Sequence, residues 1–455
     1  MTGQTSKEKP ETRLTGMTGF TIIWIGQMFS LLGTAMTQFA ITIWAWQITG
    51  EATVLALIGF FGFAPLIFMS PIAGVIVDRH NRKKVMMLAD LAAGLPTVAL
   101  LLLYTSGNLQ IWHLYIIAAV VGIFQAFHFP AYSAAVTMML PKKQYSRASG
   151  MLAVAQFAST IFSPIVAVLV MSTVGIPVVF LIDIITFTTA ISMLFFVHIP
   201  QPPISDVGRR SMGSIWKESL YGFRFIYERK SLLGLQLVFF CINLVGSFSN
   251  TLLAPMILAR TGNDKVLLAS VTSAGGVGGL IGSVALTVWG GPKRRVHGVL
   301  MGLMAVSITG GALIGIGQNV FVWSLAIFLA MFFLPIINGS SQAIWQAKVA
   351  PDVQGRVFAT RLLIAQISVP LAMIVAGPSA DHVFEPGMMP GGSLTAMFGG
   401  LVGTGPGAGM ALMFVITGVL GIIVGLGGYA VRVVRDAESI LPDHDAKTVQ
   451  SNQES

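Results

Sequence analysis

Long apolar runs dominate this chain of 455 residues and constrain its fold more than any other feature. A helix needs about 20 mainly apolar residues to cross the hydrocarbon core of a bilayer. Twelve runs approach or exceed that length, at 18–46, 52–77, 85–105, 111–139, 148–172, 176–198, 233–259, 266–290, 297–317, 320–346, 357–381 and 407–431. In lipid the backbone must satisfy its own hydrogen bonds, which favours helices. The sequence therefore predicts an all-α polytopic membrane protein with twelve transmembrane helices.

The positions of the charged residues support this count. Only 10% of the residues are charged, against about 25% in soluble proteins. All Lys and Arg residues except Arg260 and Lys265 fall on the side of the predicted membrane that carries both termini. By the positive-inside rule, both termini are then cytoplasmic in a cell (inner or plasma) membrane. The net charge of +9 is explained by this topology, so we predict a lipid bilayer around the chain and no nucleic-acid partner.

The longest polar segment, 199–232, divides the chain into two halves of six helices. The segments 140–147 (LPKKQYSR) and 350–356 (APDVQGR) follow the fourth helix of each half and resemble one another. This repeat predicts two pseudo-symmetric six-helix bundles. The predicted parts are a cytoplasmic N-tail at 1–17, the N-terminal bundle at 18–198, the linker at 199–232, the C-terminal bundle at 233–431 and a cytoplasmic C-tail at 432–455.

Two connecting segments and one cysteine carry further predictions. In the linker, apolar residues at helical spacing predict an amphipathic helix in the membrane interface; they are Trp216, Leu220, Phe223 and Tyr227. The segment 382–406 is rich in Gly, Pro and Met and predicts an irregular, exposed loop. Cys241 is the single cysteine, so an intrachain disulfide is impossible.

A short basic loop after the second helix reads GVIVDRHNRKK at 74–84. Gly74 permits two helix backbones to approach closely, and Asp78 can accept bonds from the N–H groups that begin a neighbouring helix. Arg side chains can fork onto carboxylates or helix carbonyls. The simpler alternative is a topology signal only. We predict a conformational latch between the two bundles, formed by Gly74, Asp78, Arg79, Arg82, Lys83 and Asp90, in which Asp90 is the partner of Arg79 or Arg82.

Polar residues follow one face of the first, fourth, seventh and tenth helices. Their spacings of three, four, seven, eight or eleven residues keep each set on one side of its helix. Such faces either line a cavity or form helix–helix hydrogen bonds. We predict a substrate cavity lined by Gln27, Ser30, Thr34, Gln38, Gln125, His128, Tyr132, Asn243, Ser247, Asn250, Asn338, Gln342 and Gln346.

Ionisable residues inside the predicted spans are few, and such residues usually serve function. Asp183 lies within the apolar segment FLIDII at 180–185. Apolar surroundings favour the uncharged form of a carboxyl group, so Asp183 is the candidate for proton coupling. The alternative is a structural bond to a neighbouring helix. Asp381 lies at the end of a helix on the side opposite the termini, where we expect it to be solvated.

The sequence shows no metal-ligand spacing, no phosphate-binding Gly-rich loop and no nucleophile motif, so we predict no cofactor and no enzymatic activity. The alternative, a membrane enzyme such as an acyltransferase, would need a His–Asp or similar pair at a membrane face, and the sequence predicts none there.

The loop at 74–84 resembles the signature loop of the major facilitator superfamily of transporters. Further segments resemble its macrolide-efflux and enterobactin-exporter branch, namely 24–27 (WIGQ), 78–84 with Asp90, Ile182 with Asp183, 355–357 (GRV) and 377–381 (GPSAD). In this superfamily the first, fourth, seventh and tenth helices line the central cavity. The fifth helix departs from the family: at 159–164 it reads STIFSP, without the glycine of the antiporter motif.

The resemblance implies a monomeric, proton-driven exporter of amphipathic small molecules, such as drugs, macrolides or siderophores. Its partners are then the small-molecule substrate and protons. A lipid-moving or uptake transporter of the same fold is the alternative.

Overall fold

The computed structural model describes residues 16–141, 144–199, 223–349 and 353–441. This part of the chain contains twelve helices that are long and apolar enough to cross a membrane, which confirms the predicted number. They are α1 Gly16–Thr49, α2 Ala52–Arg79, α3 Arg82–Thr105, α4 Ile111–Met139, α5 Tyr145–Thr173, α6 Ile176–Phe196, α7 Lys230–Arg260, α8 Lys265–Trp289, α9 Arg295–Ile316, α10 Val320–Lys348, α11 Gln354–Ser379 and α12 Ala408–Ala430.

Short polar residues mark where several of these helices begin. The first N–H groups of a helix have no partner inside it, and Asn or Asp before the first turn can accept their hydrogen bonds. The side chain of Asn81 accepts from the N–H of Lys84 at α3. Asp264 caps α8 in the same way, and Asn319 caps α10. Tight connections of this kind place consecutive helices antiparallel.

Helices α1–α6 and α7–α12 form two halves. We call the face of the molecule where α1 begins the terminal side and the other face the opposite side. Small residues allow close helix packing inside the C-terminal half. A Cβ atom on Gly278 or Gly282 of α8 would lie 2.1 Å from the carbonyl oxygen of Phe328 or Phe332 of α10. Any larger residue at these two positions would therefore push α8 and α10 apart.

The two halves are sealed together on the opposite side. One buried apolar cluster combines Trp46 and Ala52 of the N-terminal half with Met256 and Ala376 of the C-terminal half. On the terminal side, by contrast, one buried cluster belongs to the N-terminal half, and a separate cluster belongs to the C-terminal half with the end of the linker. The structure is therefore closed on the opposite side, and each half packs by itself toward the terminal side.

Only the end of the predicted linker helix falls within the described residues. Residues 223–228 are helical, whereas Trp216 and Leu220 lie outside the described residues. Phe225 and Ile226 are buried in the terminal-side cluster of the C-terminal half, while Phe223 and Tyr227 are exposed. The helix end thus packs against the C-terminal half through Phe225 and Ile226, and the placement of Phe223 and Tyr227 in the membrane interface stays a prediction.

The prediction of an irregular, exposed loop at 382–406 was wrong for the helical parts of this segment, while residues 389–394 and 403–406 lie outside helices. Helix α11 continues through a π-helical turn, Ala380–Phe384, into the helical turn Glu385–Met388, and a further helix spans Thr395–Val402. The carboxylate of Glu385 accepts the N–H groups of Gly407 and Met410 at the start of α12. Arg260 donates to the carbonyls of Gly317, Val402 and Gly407. These buried polar contacts order a segment whose composition alone favours a loop.

Candidate functional site

A cavity of about 370 Å³ lies inside the C-terminal half, between α7, α9, α10 and α12. Four of the predicted cavity residues line it: Asn243, Ser247, Asn250 and Asn338. The rest of its wall is mainly apolar and includes Phe239, Met331 and Phe414. A mostly apolar cavity with a few polar groups is the usual form of a small-molecule site.

A break in α9 shapes one wall of this cavity, which sequence reasoning did not anticipate. The π-helical turn Ser307–Leu313 interrupts α9, and Ser307, Gly310 and Gly311 line the cavity. Such π turns are frequent at functional sites. The glycine pair at 310–311 was the sequence signal that could have indicated this break, because glycine is a poor residue for a regular helix interior.

Gln342 has a different environment from the cavity residues. Its Oε1 accepts a hydrogen bond from Arg361 Nη1 at 2.8 Å, and Ser341 Oγ accepts one from Arg361 Nη2 at 2.8 Å. The guanidinium also lies 5.3 Å from the ring centroid of Trp345. Gln342 thus joins α10 to α11 beside the cavity. Gln346, one turn further along α10, has an exposed side chain.

In the N-terminal half, three predicted site residues come together between α1, α3 and α4. Gln27 Nε2 donates to Asp90 Oδ2 at 2.8 Å, His128 Nε2 lies 3.1 Å from Asp90 Oδ1, and His128 Nε2 lies 3.0 Å from Gln27 Oε1. The predicted partners of Asp90 were Arg79 or Arg82. In the described part of the chain Asp90 contacts Gln27 on α1 and His128 on α4. The side chain of Arg79 lies outside the described residues, so the pairing with an arginine stays a prediction.

Asp183 forms a second polar cluster deeper in the same half. Its side chain is only 2% exposed. Thr34 on α1 donates to Oδ1 at 3.1 Å and Thr97 on α3 donates to Oδ2 at 2.9 Å. Thr34 lies seven residues after Gln27, and Thr97 lies seven residues after Asp90. The two clusters therefore follow the same faces of α1 and α3, about 10 Å apart along the helices.

The remaining predicted cavity residues of the N-terminal half differ in how far they are exposed. Gln38 and Gln125 have exposed side chains and Ser30 is partly exposed. Tyr132 is buried instead, in the terminal-side cluster against Phe20. Tyr132 is thus a core residue, because its face of α4 packs within the half.

The predicted latch lies partly beyond the described residues, since the surroundings of Gly74 and the side chains of Asp78 and Arg79 are outside them. Lys83 Nζ donates to the carbonyl oxygens of Phe195 and Val197 at 2.8 and 2.7 Å, at the end of α6. Arg82 is the first residue of α3, and it has an interaction partner in the structure. Lys83 therefore fastens α3 to α6 inside one half.

A contact between the halves is formed on the opposite side by Asp381, which sequence reasoning expected to be solvated. Its two carboxylate oxygens accept the N–H groups of Ala52 at 3.0 Å and Thr53 at 2.7 Å, at the start of α2. We call this contact the opposite-side clamp. The backbones approach closely here, because a Cβ atom on Gly377 would lie 2.6 Å from Thr53 Cα.

Two six-helix halves, a cavity between helices and a helix-capping contact across the halves define a membrane transporter. The family model of the Major Facilitator Superfamily matches residues 23–373, and the chain belongs to this superfamily. It is therefore a multi-pass membrane transporter rather than an enzyme.

The sequence relatives include exporters. Macrolide efflux protein A of Streptococcus pyogenes is 30% identical over 368 residues, which cover 80% of this chain and 90% of the relative. Macrolide efflux protein A of Enterococcus faecalis is 29% identical over 328 residues, or 71% of this chain and 100% of the relative. The uncharacterized MFS-type transporter YfiS of Bacillus subtilis is 25% identical over 437 residues, or 92% of this chain and 94% of the relative.

Solved structures share the fold. A bacterial homolog of the human lysosomal transporter Spinster, inward-facing and unoccupied, aligns with a TM-score of 0.68 at 14% identity, covering 90% of this chain and 96% of that chain. A bacterial homologue of the iron transporter ferroportin, in an inward-facing state, aligns with a TM-score of 0.61 at 14% identity, covering 90% of this chain and 99% of that chain.

Proposed function

We propose that this transporter exports amphipathic small molecules by alternating access, with protons as the coupling ion. The cavity of the C-terminal half carries this proposal, because its wall combines apolar side chains with the amides of Asn243, Asn250 and Asn338. Such a wall accepts hydrophobic substrates, and its few amide groups orient them through hydrogen bonds. The macrolide efflux relatives make macrolides the first substrate class to test.

The charge distribution supports an orientation of the transporter in the membrane. The basic residues that surround the terminal side assign that side to the cytoplasm, by the positive-inside rule. In that orientation, the seal between the two halves on the opposite side supports a state that is open toward the cytoplasm. In an exporter this is the state that loads substrate. The latch of Gly74, Asp78, Arg79, Arg82, Lys83 and Asp90 would then close this side in the other state. We propose Asp183 as a residue that takes part in proton coupling.

Export is tested with inverted membrane vesicles, in which the cytoplasmic face is outside. We expect vesicles with this protein to accumulate erythromycin when their interior is acidified, and to stop when the pH gradient is collapsed. Vesicles without the protein are the control. If accumulation is unaffected by the gradient, the coupling part of the proposal is wrong. If no erythromycin enters, the same assay with lipophilic dyes and siderophores decides the substrate class.

The lipid-moving alternative has its own outcome. A fluorescent phospholipid placed in one leaflet of proteoliposomes would cross to the other leaflet faster with the protein than without it. Movement of the phospholipid without any movement of macrolides, dyes or siderophores would replace export by lipid transport.

The cavity itself gives a prediction for cysteine labelling in a Cys241→Ser background. We expect Asn243→Cys and Asn338→Cys to react with a membrane-impermeant thiosulfonate, because both side chains line the cavity. A substrate at ten times its Kd should slow the reaction by about tenfold, since it occupies the site.

The matched control is Leu325→Cys, which lies on α10 with Leu325 exposed on the apolar surface. This position should react only with a membrane-permeant maleimide. Equal reaction of all three cysteines with the impermeant reagent, with no protection by substrate, would place the substrate elsewhere.

A further inference from the structure

The cluster of Gln27, Asp90 and His128 has a hydrogen-bonding pattern that fixes the protonation of the imidazole. A carboxylate can only accept hydrogen bonds, so the Gln27 amide must turn its NH₂ group toward Asp90. Its carbonyl oxygen Oε1 then faces His128 Nε2 at 3.0 Å. Because Asp90 Oδ1 at 3.1 Å is an acceptor as well, Nε2 must carry a hydrogen. The neutral ring therefore has its lone pair on Nδ1.

The side chains of His128 and Asp90 differ in how far they are exposed. The side chain of His128 is 33% exposed, whereas that of Asp90 is 7% exposed. The cluster lies on the part of α1, α3 and α4 toward the terminal side, where each half packs by itself. Asp90 is thus shielded and anchors the ring, while part of the ring remains accessible.

The charged and titratable groups on the surrounding helices leave Asp90 as the described carboxylate that faces the ring. On α4 itself, Tyr132 stacks on the imidazole at a centroid distance of 6.1 Å. On α3, Lys83 is bonded to the end of α6.

Helices α1, α2, α5 and α6 of the same half also carry polar or charged residues. Helix α1 contributes the neutral Gln27. On α6, Asp183 is bonded to Thr34 and Thr97. Arg147 of α5 is exposed, and the side chains of Asp78 and Arg79 on α2 lie outside the described residues.

We propose that His128 is a proton-binding site in the cytoplasmic part of the N-terminal half, with Asp90 and Gln27 as its positioning residues. This inference rests on the proposed proton-coupled export and adds to it the group that exchanges protons with the cytoplasm. A proton passes from a hydronium ion to the lone pair of Nδ1, so that one O–H bond breaks and one N–H bond forms. The imidazolium keeps its Nε2–H on Asp90, so its positive charge is balanced by the carboxylate. Release to water reverses this step.

The proton site is tested by nitrogen-15 NMR of the full-length protein in nanodiscs with labelled histidine. The His128 signal is the one that disappears in His128→Gln. We expect a neutral ring with hydrogen on Nε2 at high pH, and proton uptake at Nδ1 between pH 5 and 9. Asp90→Asn should move the midpoint of this titration to lower pH, since it removes the balancing charge.

The control is His297→Gln, because His297 Nδ1 lies 2.8 Å from the hydroxyl of Tyr429 in the other half. It should leave the His128 signal unchanged. A neutral His128 ring with hydrogen on Nδ1, or a ring that does not titrate between pH 5 and 9, overturns the proposal.

The role in coupling is tested with inverted vesicles and erythromycin. We expect the gradient-driven accumulation of erythromycin to fall by at least about tenfold in His128→Gln. Exchange of erythromycin without a gradient should persist in this variant. The control His297→Gln should accumulate erythromycin as the parent does. Parental accumulation by His128→Gln would exclude His128 from coupling. If the parent itself does not move erythromycin, the proposed substrate is wrong, and the NMR titration still decides whether His128 is the proton site.

Discussion

Replacing Asp381 with alanine should shift the transporter toward the state that is open on the opposite side. The carboxylate of Asp381 accepts two N–H groups at the start of α2, and these groups lie in the other half of the molecule. Hydrogen bonds to a charged group contribute about 1.5–3 kcal/mol. Each 1.4 kcal/mol changes an equilibrium about tenfold. We therefore expect the ratio of the two states to change by about tenfold or more, and the transport rate to fall.

Distances between spin labels measure this shift. Cysteines at Ser106 and Gln318 lie in exposed connections on the opposite side of the N-terminal and C-terminal halves. In a Cys241→Ser background, Asp381→Ala should increase the population of the longer distance between them. An unchanged distance distribution would show that the opposite-side clamp does not control the conformational equilibrium.

Asp264 provides the matched control for this experiment. Its carboxylate caps α8 by accepting the N–H groups of Val266 and Leu267 at 2.8 and 3.2 Å, also on the opposite side. This cap lies within one half, so it is present in both states of the transporter. We expect Asp264→Ala to lower the thermal stability, since a lost helix cap costs about 0.5–2 kcal/mol, and to leave the label distances unchanged.

Asp183→Asn should abolish uphill transport while the protein still folds. An amide can accept from one threonine and donate to the hydroxyl oxygen of the other, so Thr34 and Thr97 keep their partners. The amide cannot take up or release a proton in the range of cellular pH. We expect accumulation against a gradient to fall by at least about tenfold, and passive exchange of substrate to continue.

A stability measurement separates coupling from structure at this position. Asp183→Ala leaves both threonine hydroxyls without their acceptor inside the half, and an unsatisfied buried polar group costs about 1–3 kcal/mol. We therefore expect Asp183→Ala to melt at a lower temperature than Asp183→Asn. If Asp183→Asn pumps at the parental rate, Asp183 serves only to join α1, α3 and α6.

The sequence by itself determined the twelve membrane-spanning helices. This property is local, because a bilayer requires each span to be apolar and to satisfy its own backbone hydrogen bonds. Helical spacing is a local property as well, and it explains the part of the cavity prediction that agrees with the structure. Helical spacing showed that Asn243, Ser247 and Asn250 share a face of α7, and this face lines the cavity.

Only the tertiary structure decided which neighbour each polar residue meets. Helical spacing identifies a face but not the helix that packs against it. Asp90 bonds to Gln27, 63 residues away, and Asp381 bonds to the start of α2, more than 300 residues away. An intramembrane carboxylate is costly unless it finds donors, and the donors available depend on how the twelve helices pack. That packing made Asp381 a contact between the halves and turned Asp90 toward His128.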